Sequence, residues 1–428
     1  GHGIGGRLDL PVPVTYFVAG AAVVLVISFL ALAVLWPAPR LQDGPRDEPA
    51  RVKVPRRGLL PTLGVLGLLL VVGQLIPPLF GLETDPTRPT IAPVLVWVVF
   101  WLVVPFVGAV FGNWYTDINP WRALARMYRI GRGERLWLLD RVGIWPAAGM
   151  FIAFTWLELV SPNSGSPATL GLAALVYSIF LLLGMAYAGR ETGLAVLDLF
   201  TPYNRLISAI SPIGRGSDNQ LVWRGWLRSL TVIPEWPGLA AFVVVAIGTV
   251  SFDGGSATGW YRDTFGDFGA SIPGKSVLLV ATVIAVGSAY LASSWLAARL
   301  GEGEVTSVVV ARRFAHTLVP IALAYALAHY ATLILFEGQQ LIAAASDPFA
   351  LGWDLFGTAD RKIDFFLTAS EPVWYFQLAV ILGGHLLGVV LAHDRALVDF
   401  GKGAVKSQYA MLILMVALTS LGLLILSG

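Results

Sequence analysis

The chain has 428 residues, of which 56% are hydrophobic and only 13% charged, with a mean hydropathy of +0.72. A soluble domain carries about 25% charged residues, so this composition excludes a cytosolic enzyme, a disordered chain and a nucleic-acid-binding domain. The absence of cysteine removes thiolate catalysis, zinc fingers, iron–sulfur clusters and disulfides, and a net charge of +2 points to no acidic partner.

A helix that crosses a bilayer needs about 20 mainly apolar residues. Ten such runs are predicted, near 12–36, 59–80, 91–112, 142–160, 168–188, 238–252, 276–298, 314–336, 373–393 and 408–427. The fold class expected is therefore all-α: one polytopic transmembrane bundle over 1–428, in contact with the lipid bilayer. Fifteen Trp and 22 Phe suit interfacial aromatic belts. Only five basic residues are Lys against 24 Arg, which with abundant Ala, Gly and Pro suggests a GC-rich bacterial genome and a bacterial inner membrane.

If the N-terminus lies outside, the segments 37–58, 113–141, 189–237, 299–313 and 394–407 lie inside and hold 23 of the 29 basic residues. That asymmetry predicts both termini outside. An exported N-terminus with no preceding span implies a signal peptide removed upstream. His2 then lies near an extracytoplasmic amine, a weak candidate for copper. The longest loops, 189–237 inside and 337–372 outside, are too short for separate cores.

A weak parallel repeat links units near 91–133 and 168–216. Asp117, Pro120, Trp121, Arg122 and Leu124 match Asp198, Pro202, Tyr203, Arg205 and Leu206, and each unit closes on IGRG. Pro fits the first helical position, with Asn119 or Thr201 as cap. Each unit is predicted to form a short amphipathic helix at the cytoplasmic interface. Two anchors, or a paired gate that docks a partner, both fit.

Ionisable groups at membrane depth are costly and tend to be functional. Glu158 and Asp253 fall at outer helix ends, where water could satisfy them. Four of the five histidines, His316, His329, His385 and His393, fall on the eighth and ninth runs. His316 and His329 are 13 residues apart, about 140° from facing the same way, so a di-haem ligand set is disfavoured. A single haem b or a metal between the two helices stays open. His329 and His385 are predicted at similar depth, between the midplane and the outer leaflet. A shared polar cavity is expected there, with Tyr325, Gln339, Gln340 and Gln377 nearby. Pro320 and the pair Gly383 and Gly384 are expected to open or narrow that contact. His316 and His393, beside Asp394, form a second group near the cytoplasmic side. The sequence has neither GxxxxGK[ST] nor HExxH, so nucleotide use and zincin chemistry are not expected.

The segments HGIGGRLDLPVPVTYFVAGAAVVLVISF, SFDG at 251–254, HTLVPIALAYALAHY at 316–330 with GQQ after it, and GHLLGVVLAHDRAL at 384–397 resemble a bacterial polytopic membrane family known as fenitrothion hydrolase. The resemblance implies an organophosphate hydrolase component, with metal and an activated water. The family often has two histidines in the AYxxAHY segment; this chain has Ala326 at the earlier position and keeps His329.

Three functions follow as expectations. One is a transporter or permease with a polar, His-lined site for a small solute or metal ion. The others are a metal- or haem-bearing redox subunit with a membrane partner or in a homo-oligomer, and a membrane hydrolase.

Overall fold

The computed structural model describes residues 13–44, 48–53, 59–215, 220–302, 304–365 and 370–427. Its long helices follow the apolar runs: α1 Val14–Leu35, α2 Leu59–Phe80, α3 Ile91–Phe111, α4 Trp145–Leu159, α5 Pro167–Ala188, α6 Leu239–Ser256, α7 Ile272–Leu300, α8 Ala315–Glu337, α9 Ser370–Phe400 and α10 Ala404–Ser427. Eight stretches are long and apolar enough to cross a membrane, the last running from Glu371 to Ile425 through both α9 and α10. Helix α4 has 15 residues, about 22 Å of rise, short against a hydrocarbon core of about 30 Å.

Burial separates the helices by role. In the apolar windows of α6 and α8, 78% and 72% of residues are buried, against 17% and 11% in α1 and α2. Helices α6 and α8 form the axis of the bundle, while α1 and α2 present Val23, Ile27, Leu66 and Leu69 outward. Apolar side chains on that scale belong against lipid tails, so the molecule is an integral membrane protein.

The loops sort to two ends. At one end, the stretch after α1 meets α9: Trp36 Nε1 and Gln42 Nε2 donate to Asp394 at 3.0 and 2.9 Å. There too Thr231 donates to the Leu41 carbonyl at 3.0 Å, and Arg313 pairs with Asp399 at 3.1 Å. At the opposite end, Arg88 pairs with Asp347 at 3.2 Å and the Asp85 amide donates to the Ala350 carbonyl at 2.8 Å. The stretch 347–350 thereby folds back over the α2–α3 turn.

The all-α expectation requires one correction. Strands β1 Glu48–Lys53, β2 Ile213–Arg215 and β3 Gln220–Trp223 form an antiparallel sheet in the order β1-β3-β2 at the basic end. Pro49 and Gly214 both register with Val222. The strands are too short for a visible alternation, and the pairing joins two loops far apart in sequence.

The interfacial helices require another. Helix Phe200–Ser208 buries seven of its nine residues, including Phe200, Pro202 and Tyr203. Phe100, near the midpoint of α3, touches Phe200 at 4.5 Å, Tyr115 at 5.8 Å and Trp121 at 5.9 Å between ring centroids. Both repeat units therefore turn back into the bundle after α3 and α5. The second unit is amphipathic as expected, with Arg205 exposed and its apolar side turned into the bundle. In the first, Pro120–Met127 keeps an exposed edge with Met127.

Around Phe100 the backbone of α3 widens into a π-helix over Val94–Val103. Such i→i+5 stretches are rare and occur mostly at functional sites. Here it brings Trp101 onto Tyr203, stacked at 5.0 Å.

Candidate functional site

Two polar centres occupy the buried interior. The first is Asp198, fully buried between the two repeat units. It accepts from Tyr177 and Thr201 hydroxyls at 2.6 Å each, from the Phe200 and Thr201 amides at 3.0 and 3.1 Å, and from Tyr115 and Asn119 at 3.2 and 3.5 Å. The cap of Phe200–Ser208 is thus Asp198, where Thr201 was expected. In the first unit the expected cap forms, with the Asn119 side chain accepting from the Arg122 amide at 2.8 Å. Asp117 does not mirror Asp198: it pairs with Arg215 at 2.6 Å. Arg122 reaches Glu191 at 2.8 Å, and Arg205 lies over the Trp236 ring at 4.3 Å. With its acceptor positions filled, Asp198 reads as a structural hub.

The second centre lies two turns from the C-terminal end of α8. His329 Nε2 stands 2.8 Å from Asp253 Oδ2 on α6, and both side chains are buried. Tyr330 flanks the pair, its ring 4.8 Å from that of His329. With a carboxylate as its partner, Nε2 is the nitrogen that carries a proton and donates. Gly254 lets Ile425 of α10 approach beside this ring: a Cβ there would stand 2.4 Å from Ile425 and in ordinary contact, 3.5 Å, with His329. A small cavity lies against His329, lined also by Val250, Ser251, Tyr325, Ile381 and Gly422. Its volume is about 10 Å³, close to the space a single water needs.

Glu158 on α4 completes this centre. It is 4% exposed, neither carboxylate oxygen has a hydrogen-bond partner, and it lies within electrostatic reach of Asp253, Tyr330 and Tyr203.

The other expected site residues are placed as follows. His385 is fully buried, its Nδ1 2.9 Å from the Ile381 carbonyl of its own helix, its Nε2 without a partner, and its ring 5.8 Å from Tyr325. It is absent from the cavity lining, and the polar partner of His329 is Asp253. Tyr325 does line the cavity, and its hydroxyl donates to the Leu418 carbonyl of α10. Gln377 donates to the Ala328 carbonyl at 2.8 Å, tying α9 to α8. Gln339 and Gln340 stay beyond the C-terminal end of α8, where Gln339 exchanges hydrogen bonds with Asp364 and Gln340 bonds Glu337. Pro320 occupies the first turn of an α-helix that follows a 3₁₀ turn at Ala315–Leu318, so it opens no mid-helix break. Gly384 fits against Ala324 and the Pro320 carbonyl, whereas Gly383 faces open space.

Near the basic end, His316 Nδ1 lies 2.7 Å from the Arg313 carbonyl. His393 lies between Gln408 Oε1 at 3.1 Å and the Trp36 carbonyl at 3.0 Å. Asp394 closes the α1–α9 junction. These are helix-end fastenings. His2 lies outside the described residues. Among the described residues no three His, Asp or Glu side chains converge to hold a metal ion. The sequence did not reveal Asp253 as the partner of His329, nor the orphaned state of Glu158. The only signal was that both are carboxylates beside apolar runs.

No family model, curated protein or solved structure matches this chain.

Proposed function

We propose that this chain is a multi-pass transporter or permease that moves a small polar solute past the His329–Asp253 pair. The observation that carries the reading is a buried imidazole–carboxylate pair beside a water-sized cavity in the axial helices of an apolar bundle. Polar groups at that depth cost several kcal/mol unless paired or used. Irregular backbone in the bundle supports it as well, since the π-helix in α3 and the two returning units are tolerated where they line an interior.

The proposed topology is ten crossings with both termini outside. The sorting of loops to two ends supports that parity, as 37–44, 231–235 and 394–399 meet at one end while 85–88 and 347–360 meet at the other. A small solute is favoured over a metal ion because the described residues offer only a pair of ligands at the cavity.

The test is a proteoliposome assay with a trapped pH dye and an imposed pH gradient. Small polar solutes are added one class at a time. Solute-dependent dissipation, lost in His329→Gln and Asp253→Asn, is expected. A gradient that holds against every solute class overturns the reading.

A second reading rests on the same pair. Asp253 orients His329, and a base so held beside a single water is suited to activate it for hydrolysis, as the resemblance to the organophosphate hydrolase family implies. Release of the aryl alcohol from an organophosphate triester by purified protein, lost in His329→Gln, would favour it.

A further inference from the structure

We infer that Glu158 is a proton-binding site, a carboxyl group that is loaded and emptied through the Asp253–His329 pair; this rests on the transport reading above. The observation is the contrast between two neighbouring acids. Asp253 receives His329 Nε2–H. Glu158 receives nothing: both of its oxygens are buried and without a partner. An isolated ionised carboxylate in an apolar medium is prohibitively costly and becomes neutral instead. A second negative charge within reach of Asp253 adds repulsion. Glu158 therefore carries the proton in this conformation.

The titratable groups that face it are Asp253 from α6, His329 and Tyr330 from α8, and Tyr203 from the Phe200–Ser208 helix. The one basic side chain among these described groups is His329, and it is turned to Asp253. The step is a proton transfer alone. The O–H bond of Glu158 breaks and an O–H bond forms on Asp253, so the negative charge passes from Asp253 to Glu158, in a conformation where water reaches Glu158 and stabilises it. No oxidant or co-reactant is needed.

Infrared difference spectroscopy on the full chain in lipid tests it. Wild type at neutral pH should show a carbonyl band of a protonated carboxyl that vanishes on alkalinisation. The band should be absent from Glu158→Gln, shifted in Glu158→Asp, and kept in Asp253→Asn. A spectrum unchanged by Glu158→Gln overturns the inference. So does loss of the band on adding sodium at constant pH, which would make the site a sodium site. A silent flux assay with the band present would retire the transport reading and leave the proton site standing. An absent band retires the site whatever the flux shows.

Discussion

Replacing Asp198 by Ala removes one carboxylate and strands the donors that converge on it. Those donors are three hydroxyls, two backbone amides and one side-chain amide, at 2.6–3.5 Å. Each buried donor left unsatisfied costs about 1–3 kcal/mol, and hydroxyls recover part of that by turning. The two amides belong to the first turn of Phe200–Ser208 and cannot turn, so loss of their cap adds about 1 kcal/mol. Asp198→Ala should therefore cost about 3–5 kcal/mol, within the range for broken buried networks. Asp198→Asn keeps one acceptor oxygen and turns one amine toward donors, and should cost about 1–3 kcal/mol. Tyr115→Phe and Tyr177→Phe each delete one bond to the hub and should cost about 1 kcal/mol. Reversible unfolding by SDS titration in mixed micelles, followed by circular dichroism, reads these differences. An Asp198→Ala variant within about 1 kcal/mol of wild type refutes the hub. An Asn variant as damaged as the Ala variant would mean that charge, rather than acceptor count, holds the two units together.

Three further outcomes are expected. Gly384→Ala should separate α8 from α9 at a cost of about 1–3 kcal/mol, because its Cβ would lie 2.3 Å from the Ala324 Cβ, while Gly383→Ala meets no atom within 4 Å and should be silent by the same titration. Gly254→Ala should force Ile425 of α10 away, since its Cβ would lie 2.4 Å from that side chain, and raise the fraction of protein lost to aggregation, with Gly255→Ala as the harmless control in size-exclusion chromatography. Glu134 sits between α3 and α4, where burial opposes its ionisation but the Thr192 and Glu191 amides outweigh this and hold its carboxyl below the ordinary value of 4.5. Its contribution is present above that pH and lost as pH falls through the lowered value. Glu134→Ala should flatten the acid side of the thermal-stability profile, by under about 1 kcal/mol for so exposed a group.

Hydropathy made the long helices legible because lipid imposes one requirement on every crossing, a run of about 20 apolar residues. It placed His329 correctly on the eighth helix. It could not give rotation about the helix axis, and rotation decides partners. His329 turns toward Asp253, 76 residues away, while His385 bonds its own helix through Ile381. The SFDGG segment reads as a wet helix end because Asp253 stands near its close, yet α6 continues to Ser256 and keeps that carboxylate dry. The repeat was visible as an Asp and Pro spacing, but its members diverge in use. Asp198 gathers donors from both units, whereas Asp117 finds Arg215. The sheet escaped notice because β2 and β3 are three and four residues long, and β3 pairs on its other side with a strand over 150 residues earlier.

The central claim is that the cavity beside His329 opens to both sides of the membrane in turn. The chain contains no cysteine, so Ser251→Cys places a single thiol in the cavity wall. A membrane-impermeant thiol reagent applied from one face and then from the other, on oriented vesicles, reads access directly. The account predicts modification from both faces, with the balance between them shifted by pH and abolished in Asp253→Asn. A thiol that reacts from neither face while the protein stays folded, or from one face regardless of pH, would contradict it.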